Sequence, residues 1–531
     1  MIESKFSFVL LLTFLCQRTV PFSPPLLSQF IPQPKTLDEK PIKKVAIIGS
    51  GIAGLSLAHA LTNNINAKGN PIEVSIYESR SSLNYKGGSG IQLNGGMSIL
   101  HKINPQVHKA VAEASLPLKK VRSRAKPWFE SGFLSPPLTA PFSQLLELDI
   151  EEAVKATGGD VQDQLILNGN LQCFTMMRGT LQKALMESLP SSTKECVHYG
   201  KTLIDMQGTE DNGGGIICSF ENGITEGPFD LVVGCDGIRS VVKQYVENGV
   251  IAPSSEPQAG GAIYSGIRIQ YAVADAHSGD QLIPESEESN ELRQYFGDGA
   301  YALAGTYGAG KDTPPVRAAF VIFQDDNYFG PFKKPNINTP SKVNENADWS
   351  QDKRSEGDAR AECLSRIKRS NLPDVEITPI VEAADRFFEL GIYFHNPFSL
   401  KGWNREVKNS KGRFCVLSGD AAHAMPPFLG QGANQAVQDA YCLASRIFEF
   451  NSRLERRGEE QELVSMQIAL KHYEETRWPP TASITVKAGV LGYLETGGKG
   501  FLSSFRDAFF KFAGITGVAR KVFLDGATPR V

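Results

Sequence analysis

A chain of 531 residues, 41% hydrophobic and 21% charged, has ample apolar material for a buried core, and its length implies two to three structural units. A formal net charge of −3 leaves no basic footprint, which argues against nucleic acid as a partner. The eight cysteines are scattered, with no CxxC pair and no nearby histidine in ligand spacing, so buried free thiols are expected rather than disulfides or a zinc site, and no metal site is assigned.

Residues 1–40 read as an address. Lys5 precedes FSFVLLLTFLC, an apolar run of signal-peptide length and too short for a permanent membrane anchor; a buried amino-terminal helix is the alternative. TVPFSPPLLSQFIPQPK follows, with Phe22 where cleavage would fall. This stretch resembles the bipartite plastid presequences of algae with secondary plastids, so a plastid location is expected, with the secretory pathway as the alternative. No later run reaches transmembrane length.

Next, KVAIIG reads as a buried strand, LSLAHALTN as a helix and IEVSIYE as a second strand ending at Glu78, at the spacing of a strand–helix–strand unit. Gly49-x-Gly51-x-x-Gly54 lies between the first strand and the helix. Gly49 allows the tight turn, Gly51 lets a pyrophosphate approach the backbone, and Gly54 lets helix and strand pack closely. The helix start offers free N–H groups to phosphate, and Glu78 is suited to bind a ribose hydroxyl. A dinucleotide site is expected; this motif alone does not choose between NAD and FAD.

GPFDLVVGCDG (227–237) is another buried strand ending in a turn. Period-two alternation in GGAIYSGIRIQYAV, QYFGDGAYALAGTYG and RAAFVIFQ predicts an antiparallel sheet. The polar stretches 284–291 and 338–362 read as looped insertions. RFCVLSGDAAH (413–423) is a third strand, where Asp420 is placed to accept hydrogen bonds from a cofactor's sugar-like chain. The turn Gly430–Gly432 then presents backbone N–H groups at a helix start, favouring negative charge there. Two helical segments follow, and Trp478-Pro479-Pro480 breaks the pattern. Phe501, Phe505, Phe509 and Phe512 recur at helical steps with Arg506 and Lys511 between them. They form either a helix at a membrane surface or one packing on the protein body, the second being the commoner fate of apolar stripes.

Four segments, in order, resemble the class A flavoprotein monooxygenases, the family of para-hydroxybenzoate hydroxylase, salicylate hydroxylase and zeaxanthin epoxidase. They are GSGIAGLSLAHAL with Glu78; RGTLQKAL with Arg178; DLVVGCDGIRS; and LSGDAAHAMPPFLGQGANQAVQDA. The resemblance implies an α/β fold, with a Rossmann-like FAD-binding domain of the glutathione-reductase type, an inserted antiparallel-sheet substrate domain and a C-terminal helical segment. The expected boundaries are 41–250 and 410–480 for the two FAD-binding parts, 251–409 for the substrate sheet and 481–531 for the helical segment. FAD is the implied cofactor, with NADPH or NADH and O2 as co-substrates. FAD is expected at Gly49, Gly51, Ile52, Ala53, Gly54, Glu78, Arg80, Arg178 and Gln182, and at Gln92 within GGSGIQLNGG. Asp236 and Gly237 are expected near FAD and the pyridine nucleotide, and Asp420, Pro427, Gly430, Gln431, Gly432, Ala433 and Asn434 complete the set.

The implied chemistry is oxygen transfer from a flavin C4a-hydroperoxide to a small electron-rich substrate, so no strictly catalytic side chain is nominated, and His423 is read as structural. Where aromatic-acid members carry Trp-Arg-Gly, this chain has Ile263-Tyr264-Ser265-Gly266-Ile267. That segment and Tyr473-Glu474-x-x-Arg477 are similar to zeaxanthin epoxidases, which implies a carotenoid-like polyene; hydroxylation of an aromatic or other lipophilic ring is the alternative. A flavin-dependent reductase without oxygen transfer and a non-catalytic flavin-binding protein are the rival classes.

Overall fold

The computed structural model describes residues 40–63, 72–125, 142–252, 261–275, 290–325, 356–456, 465–497 and 501–531. The presequence reading, most of 284–291 and the first part of 338–362 lie outside them. Labels run in chain order: β1 Lys44–Ile48, α1 Ile52–Thr62, β2 Glu73–Glu78, β3 Gly90–Leu93, α2 Gly95–Ile103, β4 Lys120–Ala125, β5 Ser143–Asp149, β6 Phe174–Met177, α3 Arg178–Glu187, β7 Val197–Tyr199, β8 Leu231–Gly234 and α4 Val241–Asn248. The second half contains β9 Ala262–Ala274, β10 Glu291–Phe296, β11 Ala300–Tyr307, β12 Val316–Gln324, α5 Glu356–Arg369, α6 Asp374–Glu382, β13 Arg386–His395, β14 Asn404–Glu406 and β15 Phe414–Leu417. The short α7 Asp420–His423 precedes α8 Gly432–Glu455, α9 Met466–Glu495, α10 Phe501–Ile515 and α11 Val518–Ala527.

The continuously apolar runs VAII, LVVG and FCVL become β1, β8 and β15 of one sheet, ordered β7-β2-β1-β8-β15-β14. All neighbours are parallel except β14 with β15. Burial on both faces explains why these strands lack alternation. The parallel strands direct their carboxyl ends to one edge, where α1, α4 and α7 begin.

The second sheet has seven strands, ordered β13-β9-β12-β11-β10-β4-β5. Its alternation separates two faces. One mixes small aliphatic residues (Ala302, Ala304, Ala319, Val321) with Tyr295, Phe323 and Phe387 and is covered by Ile367, Ile377 and Ile380 of α5 and α6. The other carries large side chains. Tyr271 pairs with Phe320 on one side and Phe388 on the other, while Phe320 pairs with Leu303, giving a continuous cross-strand row.

The structure redraws three sequence expectations. Strands β4 and β5 belong to the seven-stranded sheet although they precede residue 250, because β4 pairs in parallel with β10 over six residues. Residues 356–362, read as loop, open α5, whose acidic first turn and basic last turn suit the helix dipole. The expected break at Pro479-Pro480, and with it the boundary at 480, falls inside the continuous helix α9. Tertiary anchors hold the chain just before the prolines, and a local bond spans them: Arg477 is clamped by hydrogen bonds from α9 to α8, Trp478 Nε1 donates to the Pro397 carbonyl at 3.1 Å, and within the helix Thr481 Oγ1 donates to the Arg477 carbonyl at 2.8 Å.

The C-terminal stripe divides at Thr516-Gly517 into α10 and α11. Phe509 and Phe510 are buried against the large-side-chain face, whereas Phe512 is 42% exposed. Arg506 is buried, not surface-facing: it donates to the Gly297 carbonyl at 2.7 Å and lies over the Phe296 ring at 5.0 Å. No helix among the described residues is long and apolar enough to cross a membrane. The described cysteines are all free, and all but Cys196 are buried.

Candidate active site

The glycine-rich turn after β1 follows the spacing argument atom by atom. Gly49 has φ +102°, and a Cβ there would lie 2.5 Å from the Cys235 carbonyl oxygen. A Cβ at Gly54 would collide with the Gly49 carbonyl, so α1 can begin this close only on glycine. Gly51 differs: a Cβ there meets nothing within 4 Å, so its space is open to a ligand. Ile52 and Ala53 occupy the first turn of α1, which carries no acidic side chain to compete for its free amides.

Glu78, at the end of β2, is 4% exposed. Its Oε2 accepts from the Ser50 amide at 3.1 Å and hydroxyl at 2.6 Å, and its Oε1 accepts from Arg80 N at 3.1 Å and Nε at 2.8 Å. Burial pushes this carboxyl up, but hydrogen bonds from Arg80 and Ser50 outweigh that and hold it below the usual range. It is therefore an anion braced against the glycine turn. Gln182 braces the same turn from α3, donating from Nε2 to the Ser50 carbonyl at 2.8 Å. Arg178, at the start of α3, is exposed and its guanidinium has no partner among the described residues.

Two further helix starts converge on this turn. Gly419 precedes α7 with φ +64°, and a Cβ there would lie 2.8 Å from Ala53 Cβ in α1. Asp420 opens α7, exposed, and its Oδ1 is the nearest atom to a Cβ built at Gly432, at 4.0 Å. Gly432 begins α8 after Gly430 makes the left-handed turn at φ +62°, its amide bonding the Pro427 carbonyl at 2.8 Å. The starts of α1, α7 and α8 thus present free amides and positive dipole ends to one space, bordered by the Asp420 carboxylate.

Beside Gly430, Gln92 donates from Nε2 to the Leu429 carbonyl at 3.4 Å, while its Oε1 is buried without a protein partner. Asp236 accepts from the Val241 and Val242 amides through Oδ2 at 2.7 and 3.3 Å, capping α4, and its buried Oδ1 has no partner. Burial makes its carboxyl a weaker acid than usual, outweighing those opposing hydrogen bonds. Gly237, at φ +80°, also borders open space.

Two expected contacts change role. Asn434 is fully buried: Oδ1 accepts from the Asn94 and Gly96 amides at 2.9 and 3.0 Å, and Nδ2 donates to the Gln92 and Gly430 carbonyls at 3.1 Å each. With all four polar valences engaged, its side chain ties α8 to α2 and β3 and offers no free group to a cofactor. The Gln431 side chain, 3% exposed, likewise lies against Gln435. The backbone of this turn, including Ala433 in the first turn of α8, remains the part that can face a ligand.

The spacing argument did not find the network behind α7. His423 Nε2 contacts Asp439 Oδ2 at 2.5 Å, Asp439 Oδ1 accepts from Arg477 Nε at 2.8 Å, and the Gly419 amide donates to Oδ2 at 2.8 Å. Burial alone would raise the Asp439 carboxyl, but His423 and Arg477 hold it below its usual range. Tyr473 donates to the Leu417 carbonyl at 3.1 Å, and Glu474 accepts from the Trp403 amide at 3.1 Å. The Tyr-Glu-x-x-Arg segment is thus a clasp on the β15–α7 turn, and His423 serves structure.

The large-side-chain face of the second sheet closes the other side. Tyr307 lies against Gly90, where no Cβ has room, Ser89 is within reach of the Tyr271 hydroxyl, and Tyr301 lies 6.4 Å from Phe428 between ring centroids. Segments 87–93 and 427–429 of the first domain therefore both abut this aromatic wall.

Comparison with known proteins gives this arrangement its class. The profile of an NAD(P)-binding Rossmann-like domain matches residues 47–114, and that of an FAD binding domain matches 401–462. Over 442 residues the chain is 25% identical to a dual trans-enoyl reductase/FAD-dependent monooxygenase of Aspergillus terreus, covering 81% of this chain and 51% of that protein, about half its length. It is 23% identical to the 3-amino-4-hydroxybenzoate 2-monooxygenase PtmB3 of Streptomyces platensis over 85% of this chain and 88% of that one. The crystal structure of Klebsiella pneumoniae HpxO with FAD and uric acid superposes with a TM-score of 0.61 at 18% identity, covering 92% of this chain and 97% of that one. The fold is that of the class A flavin monooxygenases, a Rossmann-like FAD-binding domain carrying an antiparallel substrate sheet. The FAD binding domain match makes FAD the cofactor this fold is suited to hold, and the relatives it resembles are named as monooxygenases.

Proposed function

We propose that the chain hydroxylates an aromatic ring compound held on the sheet's aromatic face, opposite the turns of the first domain that would hold FAD. The observation that carries this reading is the cross-strand row Leu303, Phe320, Tyr271 and Phe388, set opposite segments 87–93 and 427–429. Tyr271 stacks on Phe388 with centroids 4.8 Å apart and meets Phe320 edge-on at 5.0 Å, a surface suited to a flat ring. PtmB3 supports the reading, since its name specifies an aminohydroxybenzoate, as does HpxO, which was crystallised with uric acid.

When bound, FAD would supply the activation of dioxygen. The chain's own residues bind and orient. The amides at Ile52 and Ala53 and the Arg178 guanidinium are assigned to the pyrophosphate, Glu78 to a ribose, and Asp420 to the sugar-like chain. The amides of Gly430–Gly432 favour negative charge on the group lying over them. The aromatic wall excludes water from the reacting carbon.

The test is a screen of aromatic acids, phenols, heterocycles and carotenoids against the FAD-loaded chain, following NAD(P)H consumption and product mass. Ring compounds that accelerate NAD(P)H oxidation and gain one oxygen support the proposal. Oxygenation of polyenes alone would shift the substrate class, and reduction without oxygen gain would favour the reductase reading. Residues 1–40 are proposed as a plastid presequence; a fluorescent fusion of that stretch that remains cytosolic would contradict it.

A further inference from the structure

The two segments that abut the aromatic wall leave a window between them. Segment 86–90 crosses one margin of the sheet: the Lys86 carbonyl accepts from Arg386 Nη1 at 2.5 Å, Ser89 is within reach of the Tyr271 hydroxyl, and Gly90 lies against the Tyr307 ring. The turn 427–429 crosses the other margin, with Phe428 beside Tyr301. Register sets Leu303, Phe320 and Phe388 between these margins, and Leu390 follows two residues after Phe388 on the same face of β13. Leu303, Phe388 and Leu390 are half-buried, as are Gln92, Phe428 and Leu429 on the facing segments.

All six of these side chains are uncharged. Two cations stand at the margins, and both are committed. Arg386 pairs with Asp275 at 2.6 Å as well as with the Lys86 carbonyl, which leaves only its buried Nε without a partner and sets segment 86–90 between it and the window. Arg506 stands beside the Glu495 carboxyl, and its guanidinium donates to the Gly297 carbonyl at 2.7 Å and to Asp507 at 2.8 Å. Glu495, when ionised, carries the same sign as an acid ligand. Across the gap, the Arg178 guanidinium and the starts of α1, α7 and α8 are assigned to FAD. A carboxylate entering the window would lose its water and find no cation, a cost that a ring or an uncharged polar group does not meet.

We propose that the window selects its ring compound by charge: it takes neutral, largely apolar rings and excludes ring carboxylates, with Leu303 and Leu390 as the specificity-determining residues. This rests on the reading that the substrate lies on the aromatic face, and it names the class of ring compound that face accepts. It separates the chain from PtmB3, whose name specifies a benzoate. The row from Leu303 to Phe388 runs from β11 through β12 and β9 to β13. Three strand spacings make it about 14 Å wide, enough for two fused rings lying flat. Leu303 and Leu390 stand at the two sides of that row, so each can touch the edge of a bound ring, where a carboxylate would project.

The experiment uses the FAD-loaded protein and matched probes: 6-hydroxy-2-naphthoate and 4-hydroxybenzoate, each against its methyl ester and its amide. Within a set the ring and hydroxyl are the same, and the amide matches the acid in shape, so charge is what differs. Binding is read from the change in the flavin spectrum and turnover from oxygen gain. At pH 7 each acid is expected to bind at least about a hundredfold more weakly than its neutral derivatives. Between pH 7 and pH 5, nearer a carboxyl pKa of about 4, the acid's apparent affinity is expected to rise about a hundredfold while the ester's stays level. Selection by shape would not move with pH. Leu390→Lys places a cation on a flexible stem at the window and is expected to tighten the acids about tenfold and weaken the esters. Leu303→Lys makes the same test from the other side should the first variant fail to fold. Acids bound as tightly as esters at pH 7, an acid-to-ester ratio independent of pH, or a ring carboxylate as the best compound of the substrate screen overturns the proposal and leaves the aromatic reading standing. If the FAD-loaded wild type oxygenates no ring compound, both fall.

Discussion

Gly51 and Gly54 belong to one motif, yet they answer to different neighbours. A side chain at Gly54 strikes the Gly49 carbonyl, whereas one at Gly51 enters open space. Gly54→Val is therefore expected to unfold the first domain. Gly51→Val is expected to leave circular dichroism and the melting temperature of the FAD-free protein unchanged and to yield colourless protein; a yellow Gly51→Val variant contradicts the placement. The buried group His423, Asp439 and Arg477 sets a second test. Asp439→Asn leaves the Arg477 cation uncompensated at zero exposure and is expected to cost about 3–5 kcal/mol in denaturant unfolding. A loss below about 1 kcal/mol would show that the cation finds another partner. The glycines were legible in the sequence because backbone sterics leave few ways to make such a turn. The bracing amides of Asn434 and Gln182 were not, since their partners lie 338 and 132 residues away.

Helix α9 shows where local rules gave way to tertiary structure. Two prolines cost helix stability of about 3 kcal/mol each in isolation, yet the segment stays helical because its neighbours are fixed by α8 and by residue 397. The strands β4 and β5 were hidden for the opposite reason: their partner β10 lies about 170 residues on, and no local signal reports a parallel pairing at that range. The βαβ unit and the three apolar strands were readable because burial on both faces leaves an uninterrupted apolar run. For α10 the phenylalanine spacing gave the helix but not its surroundings. Phe509→Ala is expected to cost about 3–5 kcal/mol, since the ring is buried against the sheet, whereas Phe512→Ser stays within about 0.5 kcal/mol. Chemical denaturation of both variants checks this, and equal losses would contradict the packing.

Across the molecule, the two sheets divide the work. The parallel sheet gathers three helix starts at one edge, and the antiparallel sheet lays an aromatic wall against the turns that follow. Glu495, buried at the end of α9, makes stability depend on pH. Its pKa is raised on folding to about 7, so its contribution is complete below about pH 4.5 and is lost as pH climbs through about 7. Wild-type stability relative to Glu495→Gln is therefore expected to fall by about 3 kcal/mol between pH 4.5 and 8, the variant lacking that slope. Parallel pH profiles would mean that the carboxyl is already ionised or solvated in the fold.

The most direct measurement follows the oxygen. FAD-loaded protein is turned over with NAD(P)H and the best ring compound of the screen under 18O2 in ordinary water, and the product is weighed by mass spectrometry. The account predicts one 18O atom in each product molecule, and none when the same reaction runs with ordinary O2 in 18O-water. A product that carries water-derived oxygen, or that is reduced or dehydrogenated without gaining oxygen, contradicts it.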